Sequence, residues 1–155
     1  MTARDAASRD PSLRVTVQYA ARTRSLPSRA QIRRWARAAL ERDTKVTVRI
    51  VGNSESRTLN HRFRGKNHPT NVLTFVMREH PQLEGDLALC APVIAREART
   101  QRKNPTAHYA HLVVHGMLHL QGYDHEQARD ARVMERRETR IVKELGFPDP
   151  YQFHG

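Results

Sequence analysis

Two histidines four residues apart, His115 and His119, are the first residues in this chain that could do chemistry together. On an α-helix that spacing stacks both imidazoles on one face, about 6 Å apart along the axis, within reach of one metal ion. They lie in the run His111-Leu-Val-Val-His115-Gly-Met-Leu-His119-Leu-Gln-Gly-Tyr-Asp-His125, and five of the nine histidines fall between positions 108 and 125. His111 extends the stripe by a turn, but about 12 Å of helix separates it from His119. Nitrogens sharing one zinc, each ~2.1 Å from it, are no more than ~4 Å apart. His125 is the better third ligand. Gly122 can end the helix by taking positive φ, and the chain then turns His125 back toward the pair. Three nitrogen ligands with a fourth position open is a catalytic zinc arrangement; a structural site closes with four.

The spacing His-x3-His-x2-Gly-x2-His is similar to the metzincin ligand pattern, with Gly116 where a protease carries its glutamate base. Asp86, Asp124 and His111 are the remaining candidates for a proton acceptor, and Asp124 is equally a candidate to orient a ligand imidazole. Ala107, Ala110, Leu112, Val113, Val114, Met117, Leu118 and Leu120 leave the helix apolar almost all round, so it should be buried with imidazole as its polar stripe. Buried imidazole nitrogens need partners.

The elements that must position these residues can be read from periodicity. Leu13 to Tyr19 and Lys45 to Val51 alternate apolar and polar residues and predict strands. Ser28 is a plausible N-cap for a helix running to about Arg42. Gly52-Asn-Ser leads into a short helix from about Glu55 to Arg62. Gly65, Pro69 and Asn71 mark a loop before a third strand, Val72 to Met77. Gly85 to Cys90 is the fourth strand, with Asp86 at its start. Pro92 opens a helix to about Lys103, Thr106 is a reasonable cap for the histidine helix, and a last amphipathic helix, from about Glu126 to Leu145, reads as structural. The expected fold is α+β: a short four-stranded mixed sheet packed with about five helices in one domain from residue 13, after a disordered tail over residues 1–12.

The chain has 155 residues and a net charge of +11, which implies an anionic partner, nucleic acid before a membrane surface. No apolar run approaches the ~18 residues needed to span a membrane, and the polar start does not resemble a secretory signal. A single cysteine, Cys90, allows no internal disulfide and fits a reducing cytoplasm. Between Glu55 and Glu79 there is no acid, while Arg57, Arg62, Arg64, Lys66 and Arg78 are present. Around Gly65 this loop can present backbone and cations, Arg64 and Lys66 among them, to a phosphate.

Read together, these segments resemble the YbeY family, bacterial endoribonucleases and ribosomal RNA maturation factors. The resemblance is carried by His115-Gly-Met-Leu-His119-Leu-Gln-Gly-Tyr-Asp-His125, by Leu59-Asn60, Phe63-Arg64-Gly-Lys66 and Pro69-Thr-Asn-Val-Leu-Thr-Phe75, by Gly85-Asp86, and by the closing Leu-Gly-Phe-Pro-Asp-Pro-Tyr151. Phe63 stands where the family usually has Tyr, Asn67 where it has Asp, and Val76 where Pro is frequent. The resemblance implies a zinc-dependent, single-strand-specific endoribonuclease with one Zn2+ on His115, His119 and His125. It implies that Arg64 faces the metal cleft. It implies a role in maturing the 3′ end of small-subunit ribosomal RNA and in ribosome quality control, with ribosomal proteins and an assembly GTPase as partners. The alternatives are a zinc peptidase, disfavoured by Gly116, and a non-catalytic ribosome-assembly factor with structural zinc.

Overall fold

The computed structural model describes residues 9–152. Most of the expected tail, residues 1–8, lies outside the described residues; Arg9 pairs with Asp43 at 2.8 Å, and the Ser12 amide donates to the same carboxylate at 2.9 Å.

Alternating apolar residues fold into four strands with one face against helices. They are β1 (Leu13–Tyr19), β2 (Thr44–Val51), β3 (Val72–Arg78) and β4 (Leu83–Cys90), in the spatial order β1-β2-β4-β3. Between them run α1 (Arg29–Ala38), α2 (Asn53–Arg64), α3 (Ala91–Thr100), α4 (Pro105–Leu120) and α5 (Ala128–Glu144). The fold is therefore α+β, with a mixed sheet, as expected. β1, β2 and β4 are parallel, so each of their connections must cross over, and α1 makes the crossover from β1 to β2. β3 turns directly into β4 and pairs with it antiparallel at the sheet edge, Phe75 opposite Asp86 and Thr74 opposite Leu87.

The core lies between the sheet and α1 and α4. Val46, Val48, Ile50, Leu87 and Leu89 from the sheet meet Ile32 and Trp35 of α1 and Val113, Met117 and Leu118 of α4. Several boundaries shift by a few residues, and two of the shifts have a clear local cause. α1 stops at Ala38: the Ala39 and Leu40 amides close a tighter last turn on the Ala36 and Arg37 carbonyls at 3.2 and 3.1 Å, and the Gln121 side-chain oxygen then accepts from the Glu41 amide at 2.7 Å and from Arg42 at 3.2 Å. α4 starts earlier than Thr106, because Asn104 accepts from the Thr106 amide at 2.8 Å and Pro105 supplies a first helical position that needs no donor. Among the described residues no helix is long and apolar enough to cross a membrane.

Candidate metal centre

α4 is the buried axis of the molecule. From His108 to Leu120 every residue is buried except His115 and His119, which open onto a cleft of about 810 Å³. The His119 Nδ1–H donates to the Tyr123 carbonyl at 3.0 Å, and the His115 Nδ1–H donates to Glu138 Oε1 at 2.5 Å. A neutral imidazole that donates from Nδ1 keeps its lone pair on Nε2. Both rings are thus held in the tautomer that offers Nε2 to a ligand.

The turn after α4 delivers the third imidazole. Gly122 takes φ 110°, open to glycine and strained for other residues. Asp124 Oδ1 then accepts from the amides of His125 at 2.7 Å and Glu126 at 3.1 Å, which fixes the turn. As a result the His125 ring stands 5.5 Å from His115 and 5.5 Å from His119, inclined by only 21° and 15°. Burial pushes the His119 imidazole below its ordinary range, which favours the neutral form a metal requires.

Behind His115 lies a second layer that the sequence did not reveal. Glu138 of α5 is fully buried. Its Oε2 accepts from His111 Nε2–H at 2.9 Å and from the Tyr151 hydroxyl. Burial pushes the Glu138 carboxyl up, but the donors from His111 and His115 outweigh it and hold the pKa at about 2. The acid is ionised and fully used as an acceptor. His111, His115 and Glu138 offer ligand atoms within 4.8 Å of one another and could hold a metal ion. In the present arrangement they satisfy each other, and an ion among them would displace two N–H···O bonds in a buried place. Among the described residues His115, His119 and His125 do not bring their ring nitrogens as close together, but two of them already carry their proton on the far nitrogen, and the donor set, all imidazole, suits a zinc-like ion.

The family model for endoribonuclease YbeY matches residues 17–146. The chain belongs to the YbeY family. Proteins named endoribonuclease YbeY are similar to it along most of their length. That of Methylobacillus flagellatus is 54% identical over 141 residues, covering 91% of this chain and 95% of the relative. That of Aromatoleum aromaticum is 57% identical over 143 residues, covering 90% and 92%. A solution structure from Thermotoga maritima, 24% identical, matches with a TM-score of 0.58 over 90% of this chain and 99% of that one, a likeness of fold.

In this YbeY-family chain the cleft brings together Arg64, Asp86, Asp124, His115, His119 and His125. Lys66 is exposed and is not among the residues lining it. His111 is buried on the Glu138 side. Asp124 grips backbone and thereby positions His125 rather than an imidazole nitrogen. Burial pushes the Asp86 carboxyl up. Strand alternation turns Asp86 away from Leu87, and Leu87 faces Gly116 on α4, so Asp86 belongs to the outer side of the sheet with Phe75. The cleft therefore wraps the edge strand β3, with imidazoles on one side and Phe63, Phe75 and Asp86 on the other. A side chain at position 116 would meet Leu87 at 2.9 Å, a packing reason for glycine where a protease has its glutamate.

Proposed function

We propose that this protein is a zinc-dependent endoribonuclease that cuts single-stranded RNA and acts in the cytoplasm on the 3′ end of small-subunit ribosomal RNA and in ribosome quality control. The observation that carries the reading is the trio His115, His119 and His125 at a cleft that Arg64 also lines. The names of the relatives, the net charge of +11 and the acid-free stretch from Arg57 to Arg78 support RNA as the substrate. Ribosomal proteins and an assembly GTPase are the partners this reading carries with it.

His115, His119 and His125 are the residues that hold the ion. When bound, zinc supplies Lewis acidity to a water molecule and to a phosphoryl oxygen. Glu138 holds His115, and the Tyr123 carbonyl holds His119, each in the ligand tautomer. Arg64 offers a planar fork of donors to non-bridging oxygens, where negative charge grows as the phosphodiester is attacked. Water attack and attack by the RNA 2′-hydroxyl leave different ends, the second a 2′,3′-cyclic phosphate.

The test is cleavage of a ribosomal RNA fragment containing the small-subunit 3′ end by zinc-loaded protein and by a folded His119→Ala variant. Cutting by the first alone is expected, and the chemistry of the new ends selects the route. Equal cutting by both would end the zinc mechanism. Binding without cutting by either would leave a ribosome factor stabilised by metal, and cleavage of peptides instead would make the protein a peptidase.

A further inference from the structure

The last turn of α2 carries an aromatic ring that the core does not use. Phe63 is 58% exposed, although burying a phenylalanine stabilises a fold by roughly 1.5–3 kcal/mol. Its ring leans on Phe75 at 4.9 Å with the planes inclined by 59°, which fixes its orientation without covering it. The Arg62 guanidinium stands 5.7 Å from the ring centre. Val76 and Met77, on the adjoining edge strand, are 50% and 66% exposed. Phe63, Phe75, Val76 and Met77 line the same cleft as Arg64 and the three imidazoles.

The chemistry of this surface selects its occupant. It offers a flat, held π-face with the Arg62 guanidinium beside it and Arg64 lining the same cleft, and no acid in sequence from Ser56 to Arg78. Asp86, opposite Phe75, and Glu55, paired with Arg49, also line the cleft. An unpaired nucleobase is planar and apolar on its faces and carries a phosphate on each side. Aromatic side chains beside basic groups are how single-stranded nucleic acid is gripped independently of sequence. A paired base has both faces occupied by its neighbours and cannot use such a ring. We propose that Phe63 is a stacking platform for one unpaired base of the RNA substrate, and that it gives the cleft its selectivity for single strands. The inference rests on the endoribonuclease reading and adds to it a residue that binds substrate through a base rather than through phosphate.

Binding by metal-free protein separates the contributions without cleavage. The probe is a fluorescently labelled single-stranded oligoribonucleotide of mixed sequence, with its fully paired duplex as the comparison, titrated over a series of salt concentrations. Phe63→Ala should weaken single-strand binding roughly five- to a hundredfold while leaving the slope of log K against log [salt] unchanged. Phe63→Tyr and Phe63→Trp should keep the affinity, and Phe63→Leu, as apolar but without a π-face, should lose it. Duplex binding should not respond to any of these changes. Arg64→Gln should instead lower the salt slope by about 0.7. Unchanged affinity in Phe63→Ala, or full affinity in Phe63→Leu, would overturn the platform alone. A wild type that binds no RNA would overturn both the platform and the endoribonuclease reading. Thermal melting of each variant checks folding, and the conservative Phe63→Tyr variant keeps the comparison valid if Phe63→Ala melts early.

Discussion

At the scale of single residues, the site depends on where protons sit on imidazoles. Glu138 decides this for His115, because an ionised carboxylate accepts only and forces the proton onto Nδ1. Glu138→Gln replaces one acceptor oxygen with an amide that donates, so one of the imidazole and tyrosine donors loses its partner. Metal affinity should fall about 10–100-fold, measured by competition with a chelator, and unfolding in urea should show a loss of about 3 kcal/mol for a broken buried pair. The pH dependence of the metal-free protein follows from the same groups. Burial pushes His111 and His119 below the ordinary imidazole value, so the unfolded chain takes up protons first and stability falls as pH drops below about 6.5. Glu138 acts in a lower window with the same sign. Its folded pKa of about 2 lies below the unfolded value, so its contribution is full above about 4.5 and is lost as pH falls toward 2. Urea midpoints at pH 7.5, 5.5 and 4.0 should therefore decline in two stages, and a flat profile from 7.5 to 5.5 would contradict the buried-imidazole account.

At the scale of elements, α4 is pressed onto the sheet so closely that a Cβ at either of two glycines would come within 3 Å of a neighbour. A Cβ on Gly85 would stand 2.3 Å from Leu120 Cδ1 and 2.6 Å from the Phe75 carbonyl oxygen. The carbonyl belongs to the neighbouring strand and cannot move without disturbing the β3–β4 pairing. Gly85→Ala should cost about 2–3 kcal/mol. Gly116→Ala meets only the flexible tip of Leu87, at 2.9 Å, and gains up to about 1 kcal/mol of helix propensity, so its net effect should stay within about 1 kcal/mol. Urea unfolding of both variants reads the difference, and equal losses would show that the sheet gives way as easily as a leucine. The elements themselves were readable from sequence because alternation and helical spacing are local: β1 has the span expected, Leu13–Tyr19. His115, His119 and His125 were readable because their spacing is local too. Glu138 was not, since a charged residue on a helix of mixed charge reads as solvated. Only the packing of α5 against α4, together with Tyr151 from the chain end, turns it inward. Nor does sequence show that β3 is the edge strand or that the cleft wraps it, because strand order is set by pairing between distant segments.

At the scale of the whole molecule, the question is what a metal does for the fold. Small domains that cannot bury enough apolar surface use zinc as a substitute for a core and are unfolded without it. This chain is not in that position. Trp35, Ile32, Ile50, Leu87, Leu89, Met117 and Leu118 are fully or almost fully buried in one continuous cluster between the sheet and two helices. The cleft imidazoles stand at its margin: His115 and His119 are half-buried and His125 is exposed. The metal-free protein should therefore remain folded and melt cooperatively. Zinc then adds only the free energy of binding to the native state, about 2.7 kcal/mol at a free concentration 100 times Kd. For a domain of this size that raises Tm by about 5–10 °C. Calorimetry of chelator-treated and zinc-loaded protein measures it, with His119→Ala as the variant whose melting should no longer respond to zinc. A cooperative melt without metal, moved upward by zinc, makes the ion a resident of a preformed cleft. Loss of the transition on chelation would make it part of the scaffold. The first outcome is the one that a core complete without the metal demands.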